Sequence, residues 1–385
     1  MKVYYWSPFI SHVATVTSVI NSVKAINKFS KKNIEVSIIN VFKEWSPYND
    51  IIIKNKIKIL ELNTFLDIKN LPKGSFFKSR LTYFITFIFS TFKLDKLLKK
   101  EKPDFLIIHL ITFIPLFLMA IFSYKTKFIL RISGFPKLNF FRKILWKLSN
   151  KKIYKIFCPT ELTKEILIKN NIFDIEKIFV VKDPIIDVNE FKIKKNDIID
   201  KSSIYDQEYI ISIGRLTKQK NFLFLVNAFK HVLLKLPNIN LVILGEGEDR
   251  FKIQKKINDN FLNGKIILAG EKKNIYPYLN KAVFFVLTSD WEDPGFVILE
   301  SMFSRKIVLS SDCMSGPVSI INNGQNGFLY KRNNLYDFCE KFFFIYKNII
   351  NNNEEFKKIL FEAMKETKSY TLLHHFNLMK IHLKI

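Results

Sequence analysis

The chain has 385 residues, enough for two domains of roughly 150–200 residues each. Hydrophobic residues make up 48% and charged residues 25%, a globular balance, and 11 Gly and 12 Pro leave no long flexible linker. The net charge of +26 is uneven: residues 1–155 hold 28 Lys and Arg against 8 Asp and Glu, a balance of +20, and residues 156–385 carry +6. Charge concentrated in one half points to a partner for that half. No recognised nucleic-acid module is visible, which favours an anionic membrane surface over nucleic acid. Cys158, Cys313 and Cys339 are too few for a disulfide framework, lack metal-ligand spacing and fit a reducing cytosol. The first ten residues contain Lys2 but no apolar core of a signal peptide.

In chain order, short apolar runs alternate with helical periodicity. Residues 2–5 read as a strand, 14–29 as a helix, and 36–41 and 57–60 as strands. Residues 81–98 form a long amphipathic helix. The apolar run 105–122 is about the length of a membrane span. His109 and Pro115 interrupt it, so it reads as a buried parallel strand over 105–109 and a core helix from about 115. Strands follow at 127–132, 154–158 and 177–181, with a basic helix over 137–149. The polar stretch 187–208 has little apolar periodicity and reads as the domain junction. Alternation resumes with strands at 209–213, 240–244, 265–268, 283–287 and 307–310, helices at 222–236 and 295–303, and a helical tail over 335–385. The pattern implies βαβ units and two doubly wound α/β halves. Domains are expected over 1–187 and 205–368, with the helix of about 370–385 packing back on the first.

Ligands of open α/β sheets bind beyond the carboxyl ends of the strands. Three loops of the second half stand at such ends. In the first, Gly214 allows a tight strand exit, Arg215 offers paired donors to a phosphate, and Lys220 adds a charge at the following helix start. The second, Gly245-Glu246-Gly247, lacks the full dinucleotide fingerprint and reads equally well as a glycine turn. The third runs from Ser289 to Glu300. Glu292 precedes a helix that Gly295, Phe296 and Val297 open with free backbone N–H groups, suited to an anion. Glu300, further along that helix, can accept hydrogen bonds from vicinal hydroxyls such as those of a ribose.

These blocks resemble the family-4 retaining glycosyltransferases of the GT-B fold, in which two Rossmann-like domains flank a cleft. The resemblance is close from Tyr209 to about Tyr330 and includes the loop at Ala269-Gly270 and Asn323-Gly324-Gln325-Asn326-Gly327-Phe328-Leu329. The Trp291-Glu292-Asp293-Pro294-Gly295-Phe296-Val297 variant is similar to bacterial enzymes of surface-polysaccharide assembly, such as lipopolysaccharide and capsule. The first half matches more loosely, through Tyr5-Trp6-Ser7-Pro8 and Arg131-Ile132-Ser133-Gly134-Phe135-Pro136. The resemblance implies that Gly214, Arg215 and Lys220 hold the diphosphate of a UDP- or GDP-linked sugar. It implies that Glu300 binds the ribose and that the loop 269–274, with Gly270, borders the base. The amides of Gly295, Phe296 and Val297 would then meet the sugar and phosphate, with Glu292 as the catalytic candidate that contacts the transferred sugar.

The sequence departs from the family in three places. Pro8-Phe9-Ile10-Ser11 replaces its glycine pair, Ile132-Ser133-Gly134 stands where it often has His, and Ser319 stands where it has Glu. No Asp-x-Asp element occurs in the donor loops, so no metal cofactor is expected. The acceptor is expected to be a glycan or a lipid-linked glycan.

Two first-half segments concentrate the charge. One carries Lys69, Lys73, Lys78, Arg80, Lys93, Lys96, Lys99 and Lys100 with Phe76, Phe77, Tyr83, Phe84 and Phe87 among them. In the other, Phe141, Ile144, Leu145 and Leu148 share a helical face beside Arg142, Lys143 and Lys147. That face reads either as core-facing or as an interfacial surface for anionic lipid. The second alternative implies a cytoplasmic protein, peripheral on the inner face of the membrane. Competing expectations are a sugar-nucleotide enzyme of other chemistry, such as an epimerase, and a non-catalytic membrane-binding protein.

Overall fold

The computed structural model describes residues 1–10, 14–31, 33–63, 66–72, 76–134, 136, 138–199, 203–292 and 294–385. Ser11, Lys73, Phe135, Lys137 and Asp293, and the side chains of Phe76 and Phe77, lie outside this description. The chain divides into one unit of residues 1–184 with 372–385 and a second of residues 185–371.

The first unit is built on a seven-stranded sheet ordered β3-β2-β1-β4-β5-β6-β7. The strands are β1 Lys2–Trp6, β2 Glu35–Asn40, β3 Lys58–Glu61, β4 Phe105–Ile108, β5 Lys127–Arg131, β6 Ile153–Cys158 and β7 Ile178–Val180, all paired in parallel. Period-two alternation divides their side chains between two faces. Tyr4 and Trp6 pack on one face with Leu94, Leu98, Ile114 and Trp146. Val3 and Tyr5 pack on the other with Val16, Val19, Met379 and Leu383. Helices therefore cover both faces, which explains why these strands read as continuous apolar runs. The run 105–122 resolves into β4 and the separate helix Phe113–Ile121. Among the described residues no helix is long and apolar enough to cross a membrane.

The final helix, Leu372–Leu383, belongs to this first unit. It lies against the helix Ala14–Phe29, and His375 Nε2 meets Ser22 Oγ at 2.8 Å. Tyr5 OH and Ser22 Oγ are 2.7 Å apart, and His375 Nδ1 lies 3.1 Å from the carbonyl of Lys182. Burial lowers the His375 pKa to about 4, so the neutral ring links the three elements at ordinary pH.

The second unit carries a six-stranded parallel sheet ordered β10-β9-β8-β11-β12-β13. Its strands are β8 Tyr209–Ile213, β9 Asn240–Leu244, β10 Ile266–Leu268, β11 Phe285–Leu287, β12 Val308–Ser311 and β13 Phe328–Tyr330. Ile210, Leu241 and Ile243 face Phe222, Phe338, Phe342 and Phe356. Ile211, Ile213, Val242 and Leu244 face Leu279, Ile298, Met302 and Ala363.

Residues 187–194, which the sequence places at the start of the junction, are instead part of the second unit. Asp187 caps the helix Val188–Lys194, and Phe191 packs edge-on against Tyr276 and Phe303 with ring centroids 5.0 and 4.7 Å away. One aromatic anchor in a seven-residue helix produces no periodicity that a sequence can show.

Candidate functional site

The candidate donor loops all lie at the carboxyl edge of the second unit's sheet. The exits of β8, β9 and β10 are joined backbone to backbone. Gly214 N–H donates to the Leu244 carbonyl at 2.9 Å, Leu216 N–H to Glu246 at 2.9 Å, and Gly245 N–H to Gly270 at 2.8 Å. These contacts account for the glycines. A Cβ on Gly245, whose φ is +143°, would stand 2.0 Å from the Gly214 carbonyl oxygen, and one on Gly247 would stand 2.4 Å from that of Leu216. The Gly245 loop is thus a close-approach turn that shapes the loop beside it. Gly245→Ala is expected to cost about 2–4 kcal/mol, as strained or overpacked substitutions do. Urea denaturation checks this, and an unchanged midpoint would contradict the packing account.

Gly214 has a different purpose. A Cβ there would lie 2.8 Å from Lys220 Cε, so its absence leaves room for the Lys220 stem to cross the strand exit. Lys220 Nζ then donates to Glu292 Oε1. Ser289 Oγ donates to the same oxygen at 2.5 Å. Both charged side chains are mostly enclosed, at 13% exposure for Lys220 and 5% for Glu292. Oε2 of Glu292 accepts no hydrogen bond among the described residues. Arg215, by contrast, is exposed, and its guanidinium forms no ion pair among the described residues.

The loop after β11 is fixed from several sides. Thr288 Oγ1 donates to the Lys220 carbonyl at 3.0 Å, Asp290 N–H to Gln219 at 2.8 Å, and Gln219 Nε2 to the Trp291 carbonyl at 2.9 Å. Asn221 adopts left-handed backbone at φ +51°, caps the helix Phe222–Leu233, and sends its amide to Asp290 and Asn333 at 3.2 and 2.7 Å. Arg332 Nη1 donates to the Asp290 carbonyl at 2.9 Å. Ser289 and Asn221 lie in loops that the sequence picked out but were given no role there, and Arg332 and Asn333 lie outside those loops. Arg332 and Asn333 closely follow β13, a three-residue strand that is hard to recognise beside its Gly-rich turn.

Gly295 opens the helix Phe296–Phe303 in left-handed conformation, φ +83°, with no side-chain cap, which leaves the first N–H groups of that helix for a ligand. Gly316 N–H donates to the Glu292 carbonyl at 3.1 Å, and a Cβ on Gly316 would meet the Pro294 carbonyl oxygen at 2.3 Å. Ser319 turns its hydroxyl back onto the Ser315 and Gly316 carbonyls and presents no charge. Glu300 sits on the fifth residue of the helix, and its carboxylate accepts no hydrogen bond among the described residues. Burial pushes its pKa up to about 7, while Lys194 pulls the other way. A desolvated carboxylate without a donor is a ready acceptor for hydroxyl groups.

Residues 194–359 match the family Glycosyl transferases group 1. A relative from Methanocaldococcus jannaschii, the uncharacterized glycosyltransferase MJ1059, is 32% identical over 258 residues, 60% of this chain and 61% of that protein. A Campylobacter jejuni enzyme, N-acetylgalactosamine-N,N'-diacetylbacillosaminyl-diphospho-undecaprenol 4-alpha-N-acetylgalactosaminyltransferase, is 32% identical over 127 residues, 33% of this chain and 34% of its own length. The matched region thus spans less than two thirds of either relative. Among solved structures, Anabaena HepE in complex with UDP superposes over 100% of both chains with a TM-score of 0.76 at 13% identity, a likeness of fold. The two doubly wound parallel sheets are those of the GT-B fold, and residues 194–359, within the second unit, are the part of the chain that matches the glycosyl transferases group 1 family.

Proposed function

We propose that this protein is a retaining glycosyltransferase that moves a sugar from a UDP- or GDP-linked donor to a glycan or lipid-linked acceptor in surface-polysaccharide assembly. The observation that carries this reading is one edge of one sheet. The loops of that edge carry Arg215, whose guanidinium forms no ion pair among the described residues, the Lys220 ammonium, the helix start at Gly295, and Glu300, whose carboxylate accepts no hydrogen bond among the described residues. Cations and N–H groups suit a diphosphate, and an unsatisfied carboxylate suits a ribose diol.

In the transfer, the acceptor oxygen bonds the anomeric carbon on the face the diphosphate leaves. The acceptor proton passes to the departing diphosphate oxygen. Arg215, Lys220 and the N–H groups of Phe296 and Val297 meet the charge that develops on that leaving group. A charged hydrogen bond contributes roughly 1.5–3 kcal/mol, so Arg215→Ala is expected to weaken nucleoside diphosphate binding at least tenfold. Calorimetric titration with UDP and GDP tests the site. Unchanged affinity in the variant would remove Arg215 from it.

Glu300 adds a pH signature. Hydroxyl donors favour the ionised carboxylate, whose pKa stands at about 7 without ligand. Binding therefore releases a proton, and affinity is expected to rise from pH 6 to pH 8. Glu300→Gln, titrated alongside to subtract the ligand's own ionisation, should lose this increment. An identical pH profile in the variant would contradict the ribose role.

The acceptor side of the proposal rests on the first unit's surface. In the helix Phe140–Asn150 only Trp146 and Ser149 are buried. Of that face Phe141, Ile144 and Leu148 are exposed, as is Phe140 beside them, while Leu145 packs against the core, which supports the interfacial alternative for the exposed part. Leu81, Phe84, Ile88 and Phe92 form an exposed stripe along the helix Phe76–Glu101. The helix Phe113–Ile121 touches both of these helices and exposes Phe117 and Ile121. Aromatic and aliphatic side chains interleaved with Arg142, Lys143 and Lys147 suit the headgroup region of an anionic bilayer. The Campylobacter relative, whose named acceptor is a diphospho-undecaprenol glycan, supports a lipid-linked substrate.

A further inference from the structure

We propose that Glu292 acts as an exchangeable counter-ion that surrenders Lys220 to the donor diphosphate and reclaims it to expel the spent nucleotide. This deepens the donor-site reading and rests on it. Without ligand, the Lys220 ammonium is neutralised by Glu292, so the most enclosed cation of the site offers a diphosphate no net charge.

A diphosphate reaching the loop after β8 competes with Glu292 for Lys220. The carboxylate it displaces is 95% buried and keeps one donor from the described residues, the Ser289 hydroxyl. Leaving such a charge under-satisfied is costly. A nucleotide sugar can offset that cost, because the hydroxyls of its pyranose can donate to Glu292 once Lys220 has left. A bare nucleoside diphosphate cannot. The exchange therefore favours the intact donor over the product. After transfer the hydroxyl donors depart with the sugar, Glu292 takes Lys220 back, and the nucleoside diphosphate loses its strongest cation.

Ser289 is the positioning residue of this device. Its hydroxyl holds Glu292 Oε1, and its own carbonyl accepts from Ser311 Oγ at 2.6 Å, which ties it to β12. Oε2, which takes no hydrogen bond from a described residue, is the atom left for the sugar.

The test is calorimetric titration of the whole chain with UDP, GDP and the matching nucleotide sugars, with thermal melting recorded for each variant. Glu292→Gln keeps the side chain's size and removes its charge. It should bind the nucleoside diphosphate about tenfold more tightly than the wild type and lose the preference for the sugar-bearing donor. In the Lys220→Met background the same change should leave nucleoside diphosphate affinity unaltered. A Glu292→Gln protein that melts normally and binds the nucleoside diphosphate no more tightly would overturn the exchange. So would tightening that persists in the Lys220→Met background, because it would reflect general charge and not release of Lys220. Absence of binding by the wild type would overturn the donor-site reading itself, and the exchange with it.

Discussion

Lys220→Ala is expected to lower folding stability by about 3 kcal/mol and to weaken nucleotide-sugar binding by more than tenfold. The stability loss comes from Glu292, left as an uncompensated charge at 5% exposure with Ser289 as its donor among the described residues. Breaking a buried pair by removing one partner is far more harmful than removing both. The double variant Lys220→Ala/Glu292→Gln should therefore recover most of the stability while binding stays weak. Urea denaturation separates these outcomes. If the double variant is as unstable as Lys220→Ala alone, the loss comes from packing of the lysine stem over Gly214 and not from the exposed charge.

The second large effect concerns the membrane. Each Lys or Arg near an anionic surface contributes about 1 kcal/mol, so replacing Arg142, Lys143 and Lys147 by Gln should weaken liposome binding roughly 100-fold. Binding by the wild type should also weaken with salt. Replacing Phe140 and Phe141, exposed at 72% and 81%, by Ser should weaken it without changing the salt dependence. Sedimentation with anionic and neutral vesicles reads all three. Equal binding to both vesicle types, or indifference to salt, would leave the +20 balance of residues 1–155 without this explanation.

The strong apolar runs are legible because burial leaves a direct mark on residue choice. The strands Tyr209–Ile213 and Asn240–Leu244 and the helix Ala14–Phe29 stand where their periodicity places them. Short elements are not legible in this way. The helices Glu161–Lys169 and Tyr276–Lys281 and the strand Phe328–Tyr330 are held by tertiary contacts, with too few residues to display a period. The basic helix begins at Phe140, where Asn139 caps it by accepting from Arg142 N–H at 2.9 Å. Its apolar face is visible in the sequence, but periodicity reports that a face exists and not what covers it.

In the site, Arg215, Lys220, Glu292 and Glu300 can be named from sequence because their loops follow strands. The partnership of Lys220 with Glu292 cannot, since the two stand 72 residues apart and meet only where the exits of β8 and β11 approach. Ser289 and Asn221 escape sequence reasoning on the same ground: each acts by holding a neighbouring loop. Ser319 is visible as a departure from the family, and the structure adds that its hydroxyl is spent on its own backbone.

Sugar transfer from a nucleotide donor is read by incubating the purified chain with radiolabelled UDP- and GDP-sugars and a bacterial membrane extract. Retaining transfer predicts label passed from at least one donor into lipid-extractable glycan, with an α-linked donor giving an α-linked product, and no transfer by Lys220→Ala. Labelled donor recovered unchanged across the whole panel, or an inverted linkage in the product, would contradict it.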